Sequence, residues 1–217
     1  MKRFTVIAVD YEYHVPRSHN PVESYEFHAY HSNSTSIHRG LKSLAEQTFK
    51  DFNLIICHDG PKDVEYIDEG IDLNAMGLSS TLINTPVRNK NWGHSSRDYA
   101  MKNAYENNLG EYYIQFNIDN EFFPNAFEEI NRAIEENDEK VFTFPVHHWK
   151  ARGGEILPGS RPEVGYIDAM QLVAHRDVWK DINFWHNKDQ LSDGILYEEI
   201  CSKNKWRHIP VCMGHNF

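Results

Sequence analysis

Three aspartates stand in the same kind of place along the chain. Asp10 follows the apolar run Phe4 to Val9, Asp59 follows Phe52 to Cys57 and opens an Asp59-Gly60-Pro61 turn, and Asp119 closes the segment Glu111 to Ile118. Apolar, β-branched runs of this length suit central strands of a parallel sheet, and such sheets bind ligands at the carboxyl ends of their strands. The pattern therefore gathers three carboxylates along one edge, where a carboxylate can hold an oxygen-coordinated divalent cation. Arg97 stands at the start of a predicted helix, a position where the helix dipole does not call for a cation. Asp193 opens another helix, where an aspartate is a natural N-cap.

The elements that must position these residues follow from periodicity. Ile37, Leu41, Leu44 and Ala45 recur with helical spacing behind the capping residues Ser34, Thr35 and Ser36. Ser95 to Asn107 reads as a helix buried through Tyr99, Ala100 and Ala104, and Pro124 to Glu136 as one buried through Phe127, Ile130, Ala133 and Ile134. Thr81 to Asn84 is a further strand. Alternation of strand and helix predicts an α/β fold with a mainly parallel central sheet and helices on both faces. The last third holds candidate strands at Val141 to Phe144, Ile167 to Ala174 and Trp206 to Val211, a helix near Gly194 to Ser202, and a loop from Lys150 to Gly165.

Composition bounds the partners. The chain has 217 residues, 40% of them hydrophobic and 25% charged, enough for a sizeable core in a single domain. A formal charge of -10, with no basic stripe, argues against nucleic acid. Cys57, Cys201 and Cys212 show no CxxC spacing, so reduced cysteines of a cytoplasmic protein are expected, without a thiolate zinc site. No apolar run reaches the ~20 residues that span a bilayer, and the run ending at Val9 is too short for a signal-peptide core.

Three segments then occur in a telling order. Ser43-Leu44-Ala45-Glu46-Gln47-Thr48 leads into the strand ending at Asp59-Gly60. Gly93-His94-Ser95-Ser96-Arg97-Asp98 follows, and then Gly110-Glu111-Tyr112-Tyr113-Ile114-Gln115-Phe116-Asn117-Ile118-Asp119-Asn120. Together, over about residues 3 to 130, they resemble the inverting glycosyltransferase family 2. The resemblance implies a GT-A fold, Rossmann-like, with residues 1–120 as the nucleotide-binding half and 121–217 as the acceptor-binding half.

It also implies a hexosyltransferase using a UDP-sugar, with glucose or galactose favoured, and Mn2+ or Mg2+ as cofactor. Donor contacts fall on Val9, Asp10, Tyr11, Asp59, Arg97, Asn117, Ile118 and Asp119, with Asp59 reading the base. Asn117, Ile118 and Asp119 occupy the family's DxD positions, so Asn117 replaces the first acid and Asp119 is the full anionic metal ligand. His215 is the second metal ligand by analogy with other GT-A families, and imidazole suits manganese better than magnesium. Asp193, in Leu191-Ser192-Asp193-Gly194, matches the acceptor-activating base, while Asp168 and Trp149 fall in the acceptor and donor-sugar region. Two other readings stand beside this one: a retaining glycosyltransferase, and a nucleotide- or carbohydrate-binding domain without catalysis.

Overall fold

The computed structural model describes residues 1–10, 34–61, 72–89, 93–148, 155–180 and 192–216. Its centre is a seven-stranded sheet among the described residues. Strands β1 (Lys2–Asp10), β2 (Phe52–His58), β3 (Ser80–Asn84) and β4 (Gly110–Asn117) run parallel, with β1 between β2 and β4 and β3 outside β2. Beyond β4 lies β9 (Leu172–His175), antiparallel to both β4 and β6 (Val141–Thr143), and β10 (Trp206–His208) closes the sheet parallel to β6.

Strand alternation explains why both faces are covered. Phe4, Val6 and Ala8 of β1 cluster with Ile37, Leu41 and Leu44 of α1 (Ser34–Ala45) and with Phe127, Ile130 and Ile134 of α3 (Ala126–Glu135). Ile7 of the same strand joins Ala100, Met101 and Ala104 of α2 (His94–Glu106), Val178 and Trp179 of α4 (Arg176–Lys180), and Leu196, Tyr197 and Ile200 of α5 (Ser192–Lys203). Each fully buried aliphatic or aromatic side chain contributes roughly 1.5–3 kcal/mol. β1 is thus apolar on both faces because helices cover both.

A second, four-stranded sheet is formed by β5 (Glu121–Phe122), β11 (Gly214–Asn216), β7 (Val146–His148) and β8 (Ile156–Leu157), in that order. Its strands are two or three residues long, too short for any periodic signal in the sequence. Three expectations need correction. Residues 167–171 are not strand, because Asp168 and Gln171 form a reciprocal cap that starts a 3-10 turn over Ala169–Gln171, and β9 begins only at Leu172. The strand expected over Trp206 to Val211 stops at His208. Tyr99, expected in the core, is 43% exposed, whereas Arg97 on the same helix is buried.

Candidate active site

The carboxyl edge of the parallel strands assembles as expected. Asp10 ends β1, paired in register with His58, and Asp59 follows β2 directly. The side chain of Asp10, and Tyr11 and Trp149 entirely, lie outside the described residues. Val9 and Ile118 stand at the edge, but as whole residues they are only 1% and 5% exposed, so the structure as it stands offers little of either to a ligand. Cys57, at the end of β2, is a buried thiol pushed up to about 12 mainly by desolvation and then by Asp59. It is therefore not a nucleophile near neutral pH.

Asp59 is itself buried, and its carboxylate is gripped by the segment after β3. The Asn89 backbone N–H donates to Oδ1 at 2.9 Å and to Oδ2 at 3.2 Å; the Asn89 amide and the Thr85 hydroxyl donate to Oδ1 at 3.2 and 3.3 Å. Gly60, at φ +126°, turns the chain so that its N–H donates to Thr85 Oγ1 at 2.8 Å, a backbone conformation that glycine takes without strain. Thr85 and Asn89 were not singled out in the sequence, where both read as loop residues.

The Asp119 turn is built against α1. Gly40 is required there: a Cβ would lie 1.9 Å from the Ile118 carbonyl oxygen and 2.9 Å from that of Asn120. Arg39 donates to the Asp119 carbonyl at 3.1 Å and pairs with Glu121 at 3.0 Å. Ser43 Oγ accepts the Phe122 N–H at 3.2 Å, while Gln47 donates to the Phe123 carbonyl at 2.8 Å and accepts the Phe127 N–H at 3.1 Å. The polar residues of the Ser-Leu-x-x-Gln-Thr segment thus satisfy the backbone just beyond Asp119 and anchor that turn on α1.

A second group forms where β4, α2, the 3-10 turn and α5 meet. Arg97, 2% exposed, donates to Asn117 Oδ1. Asp193 lies inside the first turn of α5 rather than at its cap, and its carboxylate accepts the Gly194 N–H at 2.8 Å. Burial, and then repulsion from Asp168, raise its pKa to about 7, with Arg97 pulling the other way. Asp168 is also raised, by burial, against the opposing pulls of the Met170 N–H, Asn216, His148 and Arg97. Tyr197, buried one turn along α5, donates its hydroxyl to the Ala169 carbonyl.

β11 brings His215 beside the Asp119 turn. It pairs with Glu121, two residues past Asp119, and with His147 of β7. The His215 ring stacks on His147 at 5.2 Å and meets Phe123 edge-on at 5.0 Å. Burial, and next the His147 charge, lower its pKa, favouring the neutral imidazole that ligates metals. Among the described residues no three His, Cys, Asp or Glu side chains converge as a metal site. Strand pairing brings His215 opposite Glu121, two residues past Asp119; a cation held there would depend on ligand oxygens and water rather than on a closed protein cage.

Residues 29–217 match the family described as Glycosyl transferase family 2. The chain belongs to that family. The fold agrees with membership: S. aureus TarS 1-349 in complex with UDP superimposes with a TM-score of 0.72 at 15% identity, over 99% of this chain and 60% of that one. The complex of the same protein with UDP-GlcNAc gives 0.72 at 14% identity over 99% and 58%, and a longer S. aureus TarS chain gives 0.71 at 15% over 98% and 36%. These likenesses establish the GT-A fold. The chain spans less than two thirds of the length of each TarS chain. No curated protein sequence matches it. Among the described residues no helix is long and apolar enough to cross a membrane.

Proposed function

We propose that the chain is a metal-dependent glycosyltransferase that moves a hexose or N-acetylhexosamine from a UDP-sugar to an acceptor hydroxyl with inversion. The observation that carries this reading is Asp193: a carboxylate with its pKa raised to about 7, in the second half of the fold, packed with the elements that present the donor edge. A base poised near working pH is what an acceptor hydroxyl requires. The UDP and UDP-GlcNAc complexes of TarS support a uridine donor and extend the favoured sugars beyond glucose and galactose.

In this reading residues 1–120 hold the nucleotide and 121–217 the acceptor. Asp59, oriented by Asn89 and Thr85, accepts the uracil N–H, and the Val9 and Asp10 backbone borders the nucleoside. Asp119 and His215 would hold Mn2+ or Mg2+, which when bound would supply positive charge against the diphosphate. Asp193 takes the proton of the acceptor hydroxyl as its oxygen attacks the anomeric carbon from the face opposite UDP, and configuration inverts. Asp168 orients the acceptor or the donor sugar.

Calorimetric titration of UDP tests the donor half. Binding in Mn2+ should weaken by about 2 kcal/mol, roughly 30-fold, in Asp119→Ala. EDTA should produce a comparable loss in the unsubstituted protein and little further loss in Asp119→Ala. UDP binding indifferent to both changes would remove the metal-diphosphate role from Asp119.

A further inference from the structure

We infer that His147 and His215 together form a two-nitrogen site for a divalent transition-metal ion of the zinc class. The inference rests on the reading of His215 as a metal ligand and deepens it, naming the ligand's partner and the kind of ion that the two would hold.

Strand register puts the two rings side by side. His215 of β11 is paired in parallel with His147 of β7, and Asn216 with His148. Successive side chains of a strand point to opposite faces, so His147 and His215 share one face of the small sheet, while His148 and Asn216 share the other. The two ring centres are 5.2 Å apart, with the ring planes tilted by 28°. Two imidazoles bound to one ion at about 2.0–2.1 Å and near a tetrahedral angle carry their ring centres about 5 Å apart. The spacing across β7 and β11 is therefore that of two rings on a shared ion.

The scaffold holds this spacing. Gly214 lets β11 approach β5 so closely that a Cβ would stand 2.0 Å from the Glu121 carbonyl oxygen. The Phe123 N–H donates to the Met213 carbonyl at 2.8 Å, and the Met213 N–H donates to the Pro145 carbonyl at 2.9 Å, so the start of β11 is tied to the segments beside it. Phe123 walls the pair, its ring centre 5.0 Å from that of His215 and 6.3 Å from that of His147. Both histidines are partly exposed, which leaves an ion a route from solvent.

The neighbours set the number of ligands and the class of ion. Glu121 flanks His215 on its other side, but Arg39 pairs with its carboxylate at 3.0 Å. With no third His, Cys, Asp or Glu converging among the described residues, the pair supplies two nitrogens and leaves the other positions to water or ligand oxygens. Imidazole suits zinc, nickel and copper, whereas magnesium takes oxygen ligands. A second imidazole accordingly turns the site away from magnesium and toward the later first-row ions.

Zinc titration of the whole, EDTA-stripped chain without nucleotide tests the pair, followed by side-chain 15N NMR so that these two rings are told from the rest of the 13 histidines. The signals of His147 and His215 should move together over the same range of zinc, and about a hundredfold excess of magnesium should leave both in place. His147→Phe keeps a ring against His215 and Phe123 but removes the nitrogens, so stability in urea should be nearly unchanged. The zinc affinity read from His215 should nevertheless fall about tenfold or more. His215→Phe should weaken the response of His147 in the same way, because ligands of one ion are coupled. A smaller loss in His147→Phe would overturn the inference, as would magnesium moving both rings as zinc does. If His147→Phe does not fold, the unsubstituted chain decides: His147 signals that stay in place under zinc overturn the inference equally. Failure of the donor-metal reading is distinguishable, since it appears in the UDP titrations of Asp119→Ala whatever zinc does at the two rings.

Discussion

At the end of β2, Asp59 is buried among neutral donors from Thr85 and Asn89; in the first turn of α5, Asp193 accepts the Gly194 N–H and faces a second carboxylate. The same side chain is thereby given two environments. Hydrogen bonds from a rigid loop fix the orientation of Asp59, which suits recognition of a planar base. Desolvation beside Asp168 leaves Asp193 close to balanced between its two protonation states near neutral pH, which suits proton transfer. Environment, not residue type, sets these two aspartates apart.

The largest expected effect would break this division if it failed. Asp193→Asn should lower the transfer rate by about 10²–10⁴-fold, with UDP affinity essentially unchanged. Assay of transfer or donor hydrolysis beside calorimetry reads both, and a variant that loses UDP binding instead would move Asp193 to the donor side.

Asp59→Asn should behave in the opposite way. It sets an amide against the donors of Asn89 and Thr85, at a cost of about 1–3 kcal/mol of stability in chemical denaturation. UDP affinity should fall about tenfold, while the pH dependence of turnover stays where it was. A shifted pH profile in Asp59→Asn would mean that the two aspartates do not act separately.

The smallest effect is a stability slope. The Asp193 pKa is near 4 unfolded and about 7 folded, so between those values the folded state binds more protons. Its contribution to stability is complete below the unfolded pKa and is lost as pH rises through the folded one. From pH 5.5 to 7.5 the protein should lose on the order of 1 kcal/mol relative to Asp193→Asn, read by urea denaturation. Over the same range the turnover of the unsubstituted enzyme should rise through about pH 7, as its base ionises. Equal stability differences at both pH values would show that Asp193 titrates normally.

Much of the first half of the fold was legible in the sequence because its information is local. The runs through Phe4–Val9, Phe52–Cys57 and Glu111–Ile118 are buried on both faces, so they read as central strands, and their ends necessarily place Asp10, Asp59 and Asp119 on one edge. The Ser43 and Gln47 spacing was visible as a family pattern. That these residues satisfy the backbone at Phe122, Phe123 and Phe127 was not, because hydrogen bonds across more than 70 residues leave no periodic trace. The small sheet escaped for a related reason: strands as short as Gly214–Asn216 are defined by their neighbours.

The sequence by itself determined the alternating α/β order, the family and the position of each carboxylate relative to its strand or helix. Only the tertiary structure decided that Arg97 is buried, that His215 pairs beside the Asp119 turn, and that burial beside Asp168 raises the Asp193 pKa to about 7. Local order follows from hydrophobic period and turn chemistry, which act within a few residues. Proton affinity follows from desolvation and from charges brought close by packing, and those distances exist only once the chain has folded.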